Sequence, residues 1–162
     1  SHSTITLDGR HHRVDGYADI GKTFNGKNRK GAVVDLTSVL GKDLVNKASR
    51  TAYIDRKGFL YVEDEIENGK NDISLQWIMT APDNARITGN RTIEIIRHGI
   101  RMQLSVSSAI PVSMLILPND PPKDYDAPNP GTCRIGFKAD IKPETRTRFR
   151  ISLREKSKHK RH

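Results

Sequence analysis

The sequence predicts an all-β domain, an antiparallel two-layer β-sandwich with almost no helix. Short stretches of alternating apolar and polar residues recur along the chain at the spacing of sandwich or barrel strands. Residues that favour turns separate these stretches. Most of the connections are too short for parallel crossovers, which need a dozen or more residues, so the strands that they join must run antiparallel. At 162 residues the chain has the size of one domain with one core.

The first strand is predicted at residues 4–7, where the alternation ends in the turn dipeptide Asp8-Gly9. The segment 9–31 interrupts the pattern with five glycines and many charges, and we expect a long basic loop there with room for one short strand. Ten further strands are predicted from residue 32 onward. They are 32–40, 48–56, 59–67, 72–80, 85–88, 91–97, 100–107, 111–117, 132–139 and 146–153.

The segments between these strands have the composition of turns and loops. Asn, Asp and Gly, which tolerate positive φ, occur at 55–58, 68–71, 89–90 and 97–99. Residues 40–48 leave space for one helical turn at most. Five of the eight prolines lie in 118–130, which predicts an irregular surface loop, because proline cannot join a central strand.

Charge and composition bound the possible partners. The formal net charge is +9 and the pI is about 9.8, which favours polyanions such as acidic glycans, nucleic acid or anionic lipid. Four of these charges lie in 156–162, a basic tail predicted to be disordered, and the predicted domain is 1–155. Nucleic acid is the weaker partner, since neither a series of stacking aromatics nor a recognition helix is present. No apolar run is long enough for a membrane span.

The segment 9–31 concentrates cations that only Asp15 and Asp19 offset. These cations are Arg10, Arg13, Lys22, Lys27, Arg29 and Lys30. Arg binds sulfate or carboxylate through two parallel N–H donors, and Lys binds as a mobile charge. Two interpretations stay open, a solvated loop and a polysaccharide-binding surface. The residues predicted to form that surface are Arg10, Arg13, Lys27, Arg29 and Lys30.

No catalytic motif is present, so no catalytic residue is assigned. The chain lacks a nucleophile elbow, a phosphate-binding loop, an HExxH helix and a zinc-finger spacing. The single cysteine, Cys133, excludes an internal disulfide and a CxxC-type metal site. Adjacent strand residues point to opposite faces, so His11 and His12 indicate a solvated basic loop more than a shared metal site.

Four other side chains have a structural and a functional interpretation. His98 precedes Gly99 and indicates a hairpin turn. Glu63 and Glu65 share one strand face, where a general acid/base pair could be built, but the wet face of a half-buried sheet is the favoured explanation. Trp77 is predicted to lie in the core rather than to form a sugar-stacking platform.

A family resemblance rests on three stretches. Residues 2–9 (HSTITLDG) resemble the His-Asn-Thr segment, alternating strand and Asp-Gly turn in the β-sandwich of heparinase II/III-like polysaccharide lyases. The stretch 48–66 and the next strand at 75–79 are similar to strands of the same sandwich. The resemblance extends over about residues 2–107, and Ser3 departs from the commoner Asn.

This resemblance implies the C-terminal β-sandwich of an enzyme that cleaves acidic, uronic-acid-containing polysaccharide by β-elimination. A base removes the proton next to the uronic carboxylate after positive groups or hydrogen bonds have neutralised that carboxylate. In the family the chemistry lies mainly on a helical toroid that precedes the sandwich. We therefore expect the isolated domain to be inactive, its partners to be acidic polysaccharide and that toroid, and its setting to be periplasmic or secreted.

The resemblance also implies a metal role for His2, as a zinc ligand in the sandwich of the parent protein. Zinc needs three or four ligands, and the others are expected outside this chain. A remnant of an added tag is the alternative origin of His2. The alternative function is a noncatalytic carbohydrate- or polyanion-binding module.

Overall fold

The computed structural model describes residues 4–119 and 128–156. This part of the chain forms twelve strands and one helical turn. The strands are β1 (Thr4–Leu7), β2 (Ile20–Asn25), β3 (Arg29–Asp35), β4 (Val45–Asp55), β5 (Leu60–Asn68), β6 (Ile73–Pro82), β7 (Ala85–Gly89), β8 (Thr92–Arg97), β9 (Ile100–Ser107), β10 (Ser113–Pro118), β11 (Thr132–Ile141) and β12 (Arg146–Glu155). The helical turn is α1 (Thr37–Leu40).

The strands form two antiparallel sheets, as the alternation predicts. A four-stranded sheet has the order β1-β6-β11-β10, and an eight-stranded sheet has the order β2-β3-β4-β5-β12-β9-β8-β7. The all-β sandwich prediction is therefore confirmed. In the four-stranded sheet Trp77 of β6 lies opposite Ile5 of β1 on one side and Phe137 of β11 on the other.

The core lies between the two sheets. Trp77 is 5% exposed and stacks on Phe137 at 5.9 Å between ring centroids, and Phe137 contacts Phe149 of the opposite sheet at 5.4 Å. The prediction that Trp77 is a core residue is confirmed. A side chain at Gly136 would clash with the carbonyl of Trp77, so glycine allows β11 and β6 to pair at this position.

The eight-stranded sheet is wider than the four-stranded sheet that packs on it. Inward-facing residues of β5, β12 and β9 are buried, including Ile66, Phe149 and Leu104. Near the ends of β4 and β5, inward-facing Ile54 is 50% exposed and Leu60 is 41% exposed. The four-stranded sheet therefore does not fully cover the inner face of strands β2 to β5.

The predicted strand 32–40 is wrong at both ends. β3 begins at Arg29 and ends at Asp35, whose carboxylate accepts a hydrogen bond from the Thr37 backbone N–H at 2.8 Å. The chain then turns into α1, just before the 40–48 segment in which one turn was allowed. The Thr37 hydroxyl and the Ala48 backbone bond in both directions, which ties this turn to β4.

The segment 9–31 is part loop and part sheet. Its second half forms β2 and the start of β3, a hairpin at the edge of the eight-stranded sheet, so it holds more strand than expected. Its first half belongs to the β1–β2 connection, residues 8–19, which lies over α1. The Arg13 N–H donates to the Val39 carbonyl at 3.0 Å, and the Tyr17 N–H donates to the Ser38 hydroxyl at 3.2 Å.

The predictions for proline and for the hairpin turn agree with the structure. Pro118 ends β10, an edge strand, in agreement with the exclusion of proline from central strands. His98 has φ of 50° and Gly99 has φ of 77°, which confirms the turn. His2, the loop residues 120–127 and the tail residues 157–162 lie outside the described residues. None of the helical structure in the described ranges has the length and apolar character of a membrane span.

Candidate functional site

The residues predicted to bind polysaccharide occupy three places. Arg10 and Arg13 lie in the β1–β2 connection, Lys27 lies in the β2–β3 turn, and Arg29 and Lys30 lie on β3. Successive strand residues point to opposite faces. Arg29 is therefore on the outer face of the eight-stranded sheet with Gly31 and Tyr53, and Lys30 is on the inner face.

Arg10 and Arg13 each pair with a neighbouring carboxylate. The Arg10 guanidinium lies 2.9 Å from Asp43, and Arg13 makes two bonds to Asp15 at 2.9 and 3.1 Å. The hydrogen bond from Arg13 is the main cause that holds the pKa of Asp15 below its ordinary value. Both arginines are more than half exposed, and their charge is already balanced.

Among residues 4–119 and 128–156 Arg29 has no carboxylate within ion-pair distance, and it lies on aromatic rings instead. Its guanidinium carbon is 5.1 Å from the centroid of Phe24 and 5.5 Å from that of Tyr53, within the range of cation–π attraction. Gly31 sits between these rings on the outer face, opposite Phe24 on β2 and Tyr53 on β4. A Cβ at Gly31 would clash with the Ala52 carbonyl, so the close approach of the strands requires glycine.

The next members of this row are Tyr53 and Tyr61, which stack at 5.0 Å with an angle of 18°. Both are nearly buried, at 5% and 7% exposed, although they lie on the outer face. Arg150 covers them: its guanidinium lies 4.7 Å from the Tyr61 ring and donates to the Tyr53 hydroxyl at 2.7 Å. Tyr53 donates in turn to Glu63 at 2.9 Å, and Glu63 pairs with Arg150 at 3.2 Å.

This network raises the pKa of Tyr53. Desolvation by burial is the main cause, and the hydrogen bond that the hydroxyl donates to Glu63 acts in the same direction. Because Glu63 points to the half-buried outer face and pairs with Arg150, its position agrees with the structural interpretation.

Arg154 closes the row on β12. It lies 5.0 Å from the centroid of Phe59 and 5.5 Å from that of Tyr61, and it donates to the Tyr61 hydroxyl at 2.9 Å. We call this row of stacked side chains the ladder. Its members are Phe24, Arg29, Tyr53, Tyr61, Arg154 and Phe59.

Two turns bring further cations to the side of the ladder where the strands end. The Arg56 N–H donates to the Asn28 carbonyl at 3.0 Å, which sets the β4–β5 turn beside the β2–β3 turn. Asp55 accepts from the backbone N–H groups of Lys57 and Phe59 at 2.8 and 3.0 Å. Burial alone would raise the pKa of Asp55, but these bonds and the charges of Lys57 and Arg154 hold it below its ordinary value. We call the cations of the two turns and the ladder ends the basic corner. They are Lys27, Arg29, Arg56, Lys57 and Arg154.

Elsewhere on the outer face, Glu65 and Glu94 each contact more than one cation. Glu65 accepts from Arg146 and Arg148, and the hydrogen bond from Arg146 is the main cause that lowers the pKa of Glu65. Glu94 has a side chain only 2% exposed and lies against three cations. They are Arg86 at 2.8 Å, Arg101 at 3.4 Å and Lys156 at 3.4 Å.

A buried polar cluster around Asp64 on the inner face joins the two sheets. Asp64 of β5 accepts two bonds from Arg50 of β4, at 2.7 and 2.9 Å, and one bond from the indole N–H of Trp77 at 2.9 Å. The Asp64 side chain is 1% exposed and Arg50 is 22% exposed. The hydrogen bonds to the Asp64 carboxylate come from Arg50 and Trp77, which indicates a structural role.

The described histidine, cysteine and acidic side chains do not form a metal site. Within 4–119 and 128–156 no three His, Cys, Asp or Glu side chains come together as metal ligands. His12 Nε2 lies 2.7 Å from the Ile5 carbonyl and 3.0 Å from the Thr4 hydroxyl, so it binds the first strand. Burial raises the pKa of Cys133, which opposes formation of a thiolate.

Sequence reasoning missed most of the basic corner. Arg56 and Lys57 were assigned to a turn without a role, and Arg154, one position after the predicted strand 146–153, was assigned none. One signal was present: Arg146, Arg148, Arg150 and Arg154 recur at even spacing, so they must share one face of a strand. Their neighbours in β4 and β5 are distant in sequence, and therefore the composite surface could not be assembled from spacing.

Comparison with known proteins identifies the fold. No family model and no curated protein matches the sequence. Among solved structures the chain is similar to heparan sulfate lyase HepC from Pedobacter heparinus, with a TM-score of 0.76 and 17% identity over 98% of this chain and 24% of that chain. A heparinase III matches with a TM-score of 0.75 and 10% identity over 94% and 23%. Another heparinase III matches with a TM-score of 0.72 and 17% identity over 96% and 24%.

These likenesses confirm the fold resemblance expected from the sequence. Nearly all of this chain superposes on a sandwich that occurs within heparinase structures. The chain spans about a quarter of the length of the structures it matches. At these identities the shared feature is the fold.

Proposed function

We propose that this chain is the C-terminal β-sandwich part of a heparinase-like polysaccharide lyase that cleaves acidic polysaccharide by β-elimination. The observation that carries the proposal is the match over 94–98% of this chain to one quarter of several heparinase structures. In this role the sandwich supports a helical toroid elsewhere in the parent chain and offers a basic surface to the substrate. The residues proposed for that surface from the sequence are Arg10, Arg13, Lys27, Arg29 and Lys30.

The proposal divides the chemistry between this chain and the rest of the parent. A base and an acid for β-elimination would come from the toroid, on which the family resemblance places the chemistry. Zinc in the parent would be bound in part by His2, with the other ligands from outside the chain. A periplasmic or secreted setting, where extracellular polysaccharide is met, belongs to the same proposal.

Two measurements on the 162-residue protein test this proposal. We expect salt-sensitive retention on immobilised heparin that survives removal of residues 156–162, because the folded domain carries a basic surface of its own. We also expect no rise in the absorbance of unsaturated uronate with any acidic glycan. Loss of retention on truncation contradicts a substrate-facing surface on the sandwich, and a clear rise in absorbance contradicts the division of labour.

The second candidate is a noncatalytic polyanion-binding module, favoured by the cations of the basic corner, which have no ion-pair partner among residues 4–119 and 128–156. The sequence that precedes the chain in the parent protein discriminates between the two. A helical region rich in Trp, Tyr and His supports the lyase. A preceding domain of another class supports the module.

A further inference from the structure

We propose that the basic corner, and not the paired arginines of the β1–β2 connection, is where this domain binds the sulfate or carboxylate groups of an acidic glycan. The inference rests on the proposed function and deepens it, since it assigns the binding surface to particular residues. Three of them, Arg56, Lys57 and Arg154, were not among those predicted from the sequence.

The basic corner differs from the β1–β2 connection in how much positive charge is available to a ligand. None of the five cations of the basic corner has a carboxylate within ion-pair distance among residues 4–119 and 128–156. Arg10 and Arg13, in contrast, would have to release Asp43 and Asp15 before they could bind a new anion. An incoming anion therefore gains more at the basic corner.

Two arginines of the basic corner are held in position before a ligand binds. The rings of Phe24 and Tyr53 hold the Arg29 guanidinium, and those of Phe59 and Tyr61 hold Arg154. A guanidinium that is already fixed loses less rotamer freedom when it binds, so more of the interaction energy contributes to affinity. Its planar fork also matches the oxygens of a sulfate or a carboxylate.

The distance between these two arginines indicates the kind of ligand that fits. Arg29 lies on β3 and Arg154 on β12, three strands apart, which corresponds to about 14 Å at the usual strand spacing. Two cationic positions at this separation suit a linear polyanion with repeated charges. Nucleic acid fits less well, because the rings of Tyr53 and Tyr61 lie beneath the arginines and are nearly buried, so they offer no platform for bases.

The test compares three double variants that each remove two positive charges. The site variant is Arg29→Ala with Arg154→Ala. The connection variant is Arg10→Ala with Arg13→Ala. The control is Lys70→Ala with Lys138→Ala, two exposed lysines outside the basic corner. Affinity for a heparin oligosaccharide is measured by calorimetry at fixed ionic strength, with an oligonucleotide of equal charge as competitor, and circular dichroism verifies the fold.

We expect the site variant to lose about tenfold or more in affinity, the size of one or two charge-assisted contacts. The control and the connection variant should lose about twofold at most. The conservative pair Arg29→Lys with Arg154→Lys, which keeps the charge and is expected to fold, should lose an intermediate amount because the fork is absent. The oligonucleotide should compete poorly.

Three results would overturn the inference. Equal losses in all three double variants would mean that only net charge matters, and a larger loss in the connection variant would place binding at Arg10 and Arg13. Equal competition by the oligonucleotide would mean that the surface does not select a glycan. In each case the wild-type protein still binds heparin, so the proposed function survives. Failure of the wild-type protein to bind contradicts the substrate-facing surface itself.

Discussion

The two faces of the eight-stranded sheet use arginine in opposite ways. On the inner face Arg50 is bound by both oxygens of Asp64, a carboxylate that also accepts from Trp77 and is excluded from water. On the outer face the exposed Arg29 and Arg154 rest on aromatic rings, and neither has a carboxylate within ion-pair distance among residues 4–119 and 128–156. The comparison teaches that an arginine's neighbour, more than its charge, decides whether it holds the fold together or remains available to a ligand.

The inner face should give the largest response to mutation. Asp64→Ala leaves the Arg50 charge and the Trp77 N–H without their acceptor, and removal of one partner of a buried pair costs about 3–5 kcal/mol. We expect the midpoint of urea unfolding to fall accordingly. Glu67→Ala, on the exposed face of the same strand, is the matched control and should change stability by no more than about 0.5 kcal/mol. Similar losses in both variants would contradict the distinction between the faces.

Glu94 tests whether a buried carboxylate on the outer face stabilises the fold as the buried Asp64 does on the inner face. Burial alone would raise the pKa of Glu94, but hydrogen bonds from Arg86 and Lys156 outweigh it and hold the pKa below its ordinary value. A depressed pKa contributes stability that is present above the unfolded-state pKa and is lost as pH falls through the folded-state pKa. We expect wild-type stability to fall between about pH 5 and pH 3, and Glu94→Gln to flatten that dependence.

The measurement for Glu94 is urea unfolding over a pH series. Glu94→Gln should be less stable than the wild type at neutral pH, with the difference narrowing in acid. Glu155→Gln, an exposed neighbour on β12, serves as the control and should follow the wild-type curve. Parallel curves for Glu94→Gln and the wild type would mean that the three cations around Glu94 do not stabilise its charge.

The smallest effect is expected where an arginine pair is exposed. Arg10→Ala removes the contact with Asp43, whose side chain is 58% exposed, and we expect a change of about 0.5 kcal/mol or less in the free energy of unfolding. Thermal unfolding of Arg10→Ala beside Arg50→Ala checks this ranking. A loss for Arg10→Ala that equals the loss for Arg50→Ala would remove the basis of the comparison.

Local pattern was sufficient for most of the fold. Strands such as β5 and β12 alternate between buried and exposed residues, and the period of two is visible in sequence. The edge strand β2 is exposed at nearly every position, so it has no alternation to detect, and the segment 9–31 was predicted mainly as loop for that reason. The order of the strands in the sheets could not be predicted, since β5 pairs with β12 across about half the length of the chain.

The candidate site was predicted only in part for a related reason. Cations clustered in sequence are easily found, and Arg29 and Lys27 belong to the basic corner. Whether a cation is free depends on acids brought near by folding, as Asp43 is brought to Arg10. The contribution of Arg154 depends on Tyr61 and Phe59, which precede it by more than ninety positions in the chain.

Gly31 gives this surface a marker that can be followed among related sequences. Any side chain there would clash with the Ala52 carbonyl and separate the strands that carry Phe24 and Tyr53. The position of Arg29 on the rings of Phe24 and Tyr53 therefore depends on Gly31, a residue that contacts no ligand. In homologues we expect the glycine, the arginine two positions before it and the facing tyrosine to be retained together or lost together, so that their joint occurrence marks which relatives keep the ladder.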